Sequence, residues 1–312
     1  MNENYKIHIA NETERCEAYN LALQVFQNGN SNESKYISWF KKSEPDEVIV
    51  IKHNHTVIGC IRIAPIQILY DNEKYNVSNL TSICISPEHQ GKKLSSSLIN
   101  FTLKHCASKF DLGLVIARRS VDYYYLKFGF TSISTYDRLI LKNSIQDSIV
   151  ANTIELKDYH SYDFFNSIKM YEKSYCKCNG YVIRSHKNWV DIQKVLESNS
   201  PFHLKWITSN KILLGYIIYQ NNSPIEFSIS DSGISHTQIK SLIHLHDNSL
   251  ILPISSNHSL YPLIKNIDFT ISKRNCSYGG HMVVRYNDNN FTPNTLKDSL
   301  RHEFNINELD QL

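Results

Sequence analysis

Glycine is scarce in this chain. It supplies ten of 312 residues, against roughly 7% in an average protein. Collagen-like repeats and glycine-rich linkers are therefore excluded, and each glycine that remains marks a turn, a bulge or a close backbone approach. Asparagine is about three times as common. An excess of one charge is also missing. Thirty-three basic residues against 30 acidic ones leave a net charge of +3, too balanced to argue for a nucleic-acid partner without a local patch. No apolar run approaches the roughly 20 residues that span a bilayer, so no membrane partner is expected. The stretch from Met1 to Arg15 is polar where a signal peptide has its apolar core. The seven cysteines are odd in number and scattered. They read as reduced thiols, which places the protein in the cytoplasm. Cys176 and Cys178, with His160 and His186 in the region, lack the two-residue spacer of zinc sites, so no metal is expected.

What is present is a globular composition, 41% apolar and 20% charged. The length predicts two domains of about 150 residues each. Residues 13–27 place Ala18, Leu21, Ala22, Val25 and Phe26 at helical spacing. Residues 47–51 and 56–64 read as a hairpin around the polar turn 52–55, with Gly59 inside its second strand. Asn79 to Ser86 reads as the next strand, followed by the polar loop 87–93 and a helix from Leu94 to His105. Leu114 to Ala117 is a further strand. Val121 to Lys127 is a short aromatic helix closed by Gly129, and Phe130 to Leu141 supplies more strand.

The strand–loop–helix unit over residues 80–105 carries the chemistry. Free backbone N–H groups and the positive end of a helix dipole make an anion site, and Lys92 and Lys93 add charge suited to phosphates. The hairpin, then Ser86-Pro87-Glu88-His89-Gln90-Gly91-Lys92, then the helix, then Tyr124-Tyr125-Leu126-Lys127-Phe128-Gly129-Phe130, together resemble the GNAT superfamily of N-acetyltransferases over roughly residues 5–145. The family's phosphate loop, Gln/Arg-x-x-Gly-x-Gly/Ala, corresponds to Gln90-Gly91-Lys92-Lys93-Leu94-Ser95. Lys93 stands where the family has glycine, and helical dihedrals at that position would not require one.

The resemblance implies an acetyl-CoA-dependent enzyme that moves an acetyl group directly to a primary amine of a small molecule or protein lysine. It implies an oxyanion held by backbone N–H groups of Ile83, Cys84 and Ile85, and CoA bound by Gln90, Gly91, Lys92, Lys93, Leu94, Ser95, Ser96, Ser120 and Val121. Tyr125 occupies the place of the family's general acid, while Tyr123 and Tyr124 read as packing. Arg118 and Arg119 follow a strand, where they reach the CoA 3′-phosphate or face solvent. Glu33, Asp46, Glu47 and Asp122 stay open as general bases, and Cys84 reads as a core residue with no histidine placed to activate it. A second reading is a catalytically weak GNAT-like module that senses CoA or docks a protein.

The second half repeats the plan. Asn54-x-x-x-x-Gly59 lines up with Asn210-x-x-x-x-Gly215, and Ile225 to Ser230 with the strand ending at Ser86. The copy lacks the chemistry: its loop reads Asp231-Ser232-Gly233-Ile234-Ser235, and Ile264 stands where the first half has Tyr125. Gly180 to Arg184, Trp189 and His281 to Arg285 resemble the central domain of the enhanced-intracellular-survival type of acetyltransferase, without that type's C-terminal sterol-carrier-like domain. The expected fold class is α/β (α+β mixed sheet), with two tandem GNAT-like domains, each a mixed, mostly antiparallel sheet flanked by helices. Residues 1–147 form the catalytic domain, 148–286 the degenerate one, and 287–312 a C-terminal tail ending in a helix.

Overall fold

The computed structural model describes residues 5–27, 43–117, 121–134, 138–142, 154–198, 200–252, 254, 258–265, 267, 269–272 and 280–287. Its first half runs β1 (Tyr5–Ile9), α1 (Glu12–Gln27), β2 (Val48–His53), β3 (Thr56–Tyr70), β4 (Glu73–Ile85), α2 (Leu94–Cys106), β5 (Leu112–Ala117), α3 (Asp122–Leu126), β6 (Thr131–Ser134) and β7 (Arg138–Lys142). The second half runs β8 (Glu155–Asp158), α4 (Asn166–Tyr175), β9 (Tyr181–Val182), α5 (His186–Glu197), β10 (Phe202–Ser209), β11 (Ile212–Gln220), β12 (Ser223–Ile229), α6 (His236–His244), β13 (Ser249–Leu252), α7 (Tyr261–Ile264), β14 (Phe269–Ser272) and β15 (Gly280–Arg285).

The β-branched run Val48-Ile49-Val50-Ile51 is buried on both faces, and period-2 alternation sorts it. Ile49 and Ile51 join the layer under α2, with Ile61, Ile63, Leu98 and Ile99. Val48 and Val50 join the layer under α1, with Ala18, Leu21, Ala22 and Cys60. The first sheet is therefore sandwiched between helices. Its strand order is β1-β2-β3-β4-β5-β15-β6, with β9 beside β3. Only β4 and β5 run parallel. The other two sheets, β12-β11-β10-β8 and β13-β7-β14, pair antiparallel throughout.

Two strands cross between the halves. β7 lies between β13 and β14 of the second half, and β15 lies between β5 and β6 of the first. The expected single stretch of strand from Phe130 to Leu141 is thus two strands in two sheets, and strand pairing crosses the boundary expected near residue 147.

The duplication is visible as matching geometry. Asn54 and His55 turn the β2–β3 hairpin with positive φ, and Asn210 and Lys211 do the same between β10 and β11. Gly59 pairs with Ile85, and Gly215 with Ile229. A Cβ on Gly59 would lie 2.4 Å from Ile85 Cδ1, and one on Gly215 would lie 2.2 Å from the Ser228 carbonyl oxygen. Close approach, rather than a special dihedral, keeps glycine at both places. β3 and β4 are longer than the sequence pattern predicts, because Asp71 and Asn72, both at positive φ, close a tight hairpin within the stretch between them. The helix expected over 295–304 lies outside the described residues.

Candidate active site

The β4–β5 ladder covers Val77↔Leu112 to Leu80↔Val115 and stops there, although β4 continues to Ile85 and β5 to Ala117. On its other edge β4 stays paired with β3 as far as Gly59↔Ile85. Arg62 pairs with Thr81 and Cys60 with Cys84, so Ser82 and Ile83 together oppose Ile61. This is a β-bulge, with Ser82 at φ 51°, and it bends and re-aims the strand at the point where the ladder ends. The Ser86 N–H donates to the Ile58 carbonyl at 2.7 Å. By alternation the Ile85 N–H then faces away from β3, toward the side where β5 has parted. Ile85 is buried in the α2-side layer and Ile83 packs against it, while Cys84 is buried on the α1 side, with its Sγ 3.5 Å from Cys60 Sγ. Cys84 is thus a core side chain, as expected.

A 3₁₀ turn at Pro87–His89 leads into the loop. The Gln90 side chain ties it back by donating to the Ile85 carbonyl at 3.2 Å. Gly91 has φ 77°, and a Cβ there would meet nothing within 4 Å, so the left-handed dihedral is what requires glycine. Lys93 corrects an expectation. It caps α2 at φ 61° and ψ 14°, in the left-handed region rather than the helical one, at a cost of about 1–2 kcal/mol for a residue with a Cβ. Two left-handed residues within three positions form the kind of turn that gathers N–H groups into an anion cradle. The cradle sits at the first turn of α2, whose Leu94 and Ser95 N–H groups are helix-terminal orphans. Lys92 and Lys93 are exposed. The Lys92 ammonium donates to the Tyr5 hydroxyl at 3.4 Å, and Tyr5 stacks on His53 with ring centroids 4.7 Å apart.

The tyrosine run divides by role. Tyr123 is exposed. Tyr124 reaches the start of α2, its hydroxyl 2.8 Å from Ser95 Oγ and 2.9 Å from Ser96 Oγ, so α3 is tied to the first turn of α2. Tyr125 is half-buried on the α2 side of the sheet and packs edge-on against Phe130 at 5.8 Å. Val121 is exposed at the head of α3. Ser120, Arg118, Arg119 and Glu33 lie outside the described residues, as does the Asp122 side chain.

Two of the sequence's candidate bases have other work. Asp46 pairs with Lys109 at 2.5 Å, which holds its pKa down. Burial pushes the Glu47 pKa up, but its carboxylate accepts the Glu44 N–H at 2.9 Å in a capping box. The sequence reading missed two buried polar residues near the end of the ladder, Asn79 and His281. The sequence carries a weak signal for each: His281 precedes the apolar run Met282-Val283-Val284, and Asn79 is one of several polar residues on β4. Among the described residues no group of three His, Cys, Asp or Glu side chains gathers as for a metal ion, and no helix is long and apolar enough to cross a membrane.

The second half has the same strand edge and fills it. The Ser230 N–H donates to the Leu214 carbonyl at 2.7 Å, as Ser86 does to Ile58, and Ile229 corresponds to Ile85 through the glycine register. Here the outward Ile229 N–H donates to Ser174 Oγ at 3.0 Å and the Phe227 N–H to the Tyr175 hydroxyl at 3.2 Å. Buried His258 accepts the Leu260 N–H on Nδ1 at 3.1 Å. Its Nε2 therefore carries the proton and donates to the Phe227 carbonyl at 3.1 Å. Burial lowers the His258 pKa to about 3 and keeps it neutral. The strand edge of this half, as well as its loop, therefore differs from that of the first.

Comparisons with known proteins agree with this geometry. Residues 6–133 match the family model of the acetyltransferase (GNAT) domain. Among solved structures, a GCN5-related N-acetyltransferase from Anabaena variabilis is similar at TM-score 0.65 and 17% identity, over 91% of this chain and 73% of its own. Eis1 from Mycobacterium abscessus is similar at TM-score 0.61 and 14% identity, over 90% and 73%. A GCN5-related N-acetyltransferase from Kribbella flavida is similar at TM-score 0.61 and 11% identity, over 91% and 72%. No curated protein sequence matches the chain.

Proposed function

From a chain that carries a GNAT acetyltransferase domain over residues 6–133 and is an acyltransferase in class, we propose an acetyl-CoA-dependent N-acetyltransferase that acts directly on a primary amine of a small molecule or a protein lysine. The observation that carries this reading is the ladder that ends at Leu80↔Val115 while β4 runs on into the Gly91–Lys93 loop. An edge of unpaired strand, next to a cradle of N–H groups at a helix start, suits a thioester at one end and phosphates at the other. Bound acetyl-CoA would supply the activated acyl group.

The chain's own residues do the rest. The outward N–H groups around Ile83 and Ile85 receive the negative charge that develops on the carbonyl oxygen, from positions set by the bulge at Ser82. Gln90, Gly91, Lys92 and Lys93, with the N–H groups of Leu94 and Ser95, hold the phosphates, and Ser96, whose N–H donates to the Lys93 carbonyl at 3.2 Å, closes the first turn behind them. Val121 and Ser120 flank them. Tyr125 lies on the α2 side, the side of the phosphate loop, and donates its proton to the leaving sulfur. Residues 148–286 act as a degenerate partner that shapes the acceptor side, and binding is confined to the first half because Ser174, Tyr175 and His258 take up the matching edge of the second.

A thiol-release assay with acetyl-CoA and a panel of amines tests the reading. Tyr125→Phe is expected to lower kcat by about 10²-fold and leave the calorimetric affinity for CoA unchanged. Absence of CoA binding in the wild type would remove the reading. CoA binding with no turnover of any amine would replace it with a CoA-sensing module.

A further inference from the structure

The face of the first sheet opposite α2 is apolar except around the end of the β4–β5 ladder. Side-chain alternation identifies that face. On β4, Val77 packs with Ile68, Leu112, Leu114 and Val182, while Leu80 packs under α2 with Leu98 and Ile99. Asn79, two residues on from Val77, therefore stands on the Val77 side. On β15, Val283 packs in the Val77 layer and Met282 packs under α2. His281, two residues before Val283, stands on the same face as Asn79. Register then places both around the end of the ladder. Asn79 pairs with Leu114, one step below the last rung, and His281 pairs with Ile116, one step above it. Two strand spacings separate their strands, about 10 Å, the span of a small acceptor.

Packing does not explain Asn79. Asn79 is fully buried, and its Oδ1 and Nδ2 both lack hydrogen-bond partners. An amide orphaned in this way carries an uncompensated desolvation cost, which a ligand carrying both a donor and an acceptor would offset. His281 is 2% exposed. It arrives on a strand from the far end of the chain, inserted beside the splayed end of β5. Arg62 and Thr81 pair across β3 and β4 close by. The other titratable side chains on this face include Arg62, Glu47 beside it, and Tyr70 and Tyr75 lower down.

We propose that Asn79 and His281 form the acceptor seat, with His281 as the general base and Asn79 holding a hydrogen-bonding group remote from the reacting amine. This rests on the acetyltransferase reading above. The proton balance fits the two faces. The amine nitrogen bonds to the carbonyl carbon from the side opposite α2 and gives its proton to His281. The C–S bond breaks on the α2 side, and the thiolate takes a proton from Tyr125. Attacking and leaving groups then occupy opposite sides of the carbonyl carbon, each with its own proton partner. The orphaned donor and acceptor of Asn79 select amines that also bear an amide or hydroxyl. The Arg62 guanidinium on the same face disfavours polycations.

The test uses the full-length chain, acetyl-CoA and the best amine from the thiol-release screen. His281→Gln is expected to lower kcat by at least about 10²-fold with CoA affinity unchanged. Asn79→Leu is expected to raise the acceptor KM by about tenfold, with a smaller effect on kcat. If His281→Gln fails to fold, the wild-type pH profile decides, measured with a hydrazide that is neutral across the range. kcat/KM must then fall as the pH is lowered and the base takes up a proton, and a profile that stays flat over the whole range in which the chain remains folded overturns the assignment. A wild type that turns over, with a folded His281→Gln within about threefold of it, overturns the base assignment alone. A wild type that binds CoA and acetylates no amine overturns the acetyltransferase reading, and the base with it.

Discussion

Lys93 holds φ 61° and ψ 14° at the head of α2, a left-handed conformation that costs a residue with a Cβ about 1–2 kcal/mol. The pattern of Gln90 to Ser95 locates the proposed phosphate loop, because residue types at fixed spacing are legible. The dihedral of Lys93 is not. Lysine carries no preference for the left-handed region, and nothing local announces φ 61°. The conformation is imposed by the need to swing from the 3₁₀ turn into α2, and in the proposed function the lysine places a cation beside the phosphates. Two substitutions separate these effects. Lys93→Gly removes both strain and charge, so the melting temperature should hold or rise while CoA affinity falls severalfold. Lys93→Val adds β-branching at positive φ and should be less stable than Lys93→Gly by about 1–2 kcal/mol. Equal stability of the two variants by urea titration would show that the loop relaxes out of the left-handed region. Asn79 and His281 went unread for a different reason. Asn79 sits in no spaced motif, the segment His281 to Arg285 marks a resemblance without giving His281 a role, and their shared face exists only once β15 has been placed beside β5.

At the scale of elements, Glu14 joins three of them. From the first turn of α1 it pairs with Lys52 on β2 at 2.8 Å and His8 on β1 at 3.0 Å, and it accepts the Asn11 N–H at 3.0 Å. Burial pushes its pKa up, but Lys52, Asn11 and His8 together pull it down to about 2. A folded-state pKa below the unfolded value stabilises above the unfolded pKa, near 4.5, and the contribution is lost as pH falls toward 2. Glu14→Gln should therefore cost up to about 3 kcal/mol at pH 7, with the deficit shrinking through pH 4 to roughly a quarter of that value at pH 2.5. Urea titrations at those three pH values check it, and a deficit independent of pH would assign the loss to packing. Most elements here were legible from apolar periodicity, α1 and α2 above all. The exceptions have local causes. The Asp71-Asn72 turn was hidden because Pro65 reads as a break although β3 runs through it. α5 was hidden because Ser185 and Asn188, which form its capping box, precede a polar stretch in which only Trp189, Ile192, Val195 and Leu196 are apolar and buried.

For the molecule as a whole, the exchange of β7 and β15 matters more than the duplication. Tandem repeats joined end to end would unfold and separate independently. Here Leu139 to Lys142 pair on one side with β13, and Arg138 to Leu141 pair on the other with β14. In the first sheet, Gly280 to Arg285 fill the place between β5 and β6. Each half thus lends a central strand to the other's sheets, and removing either would expose two unpaired edges, the arrangement that folded proteins avoid. The exchange also ties the proposed site to both halves, since His281 comes from the second and Asn79 from the first. No local pattern in the sequence predicts this, because strand partners are chosen by long-range register and not by neighbours along the chain. A protease site inserted between residues 143 and 153 provides a direct check. After complete cleavage the two fragments should elute as one particle under native conditions, melt in a single transition and retain CoA binding, and they should separate only in denaturant. Fragments that part in native buffer would mean that the exchanged ladders are too weak to hold the halves together, and that the acceptor face depends on the intact chain rather than on strand pairing.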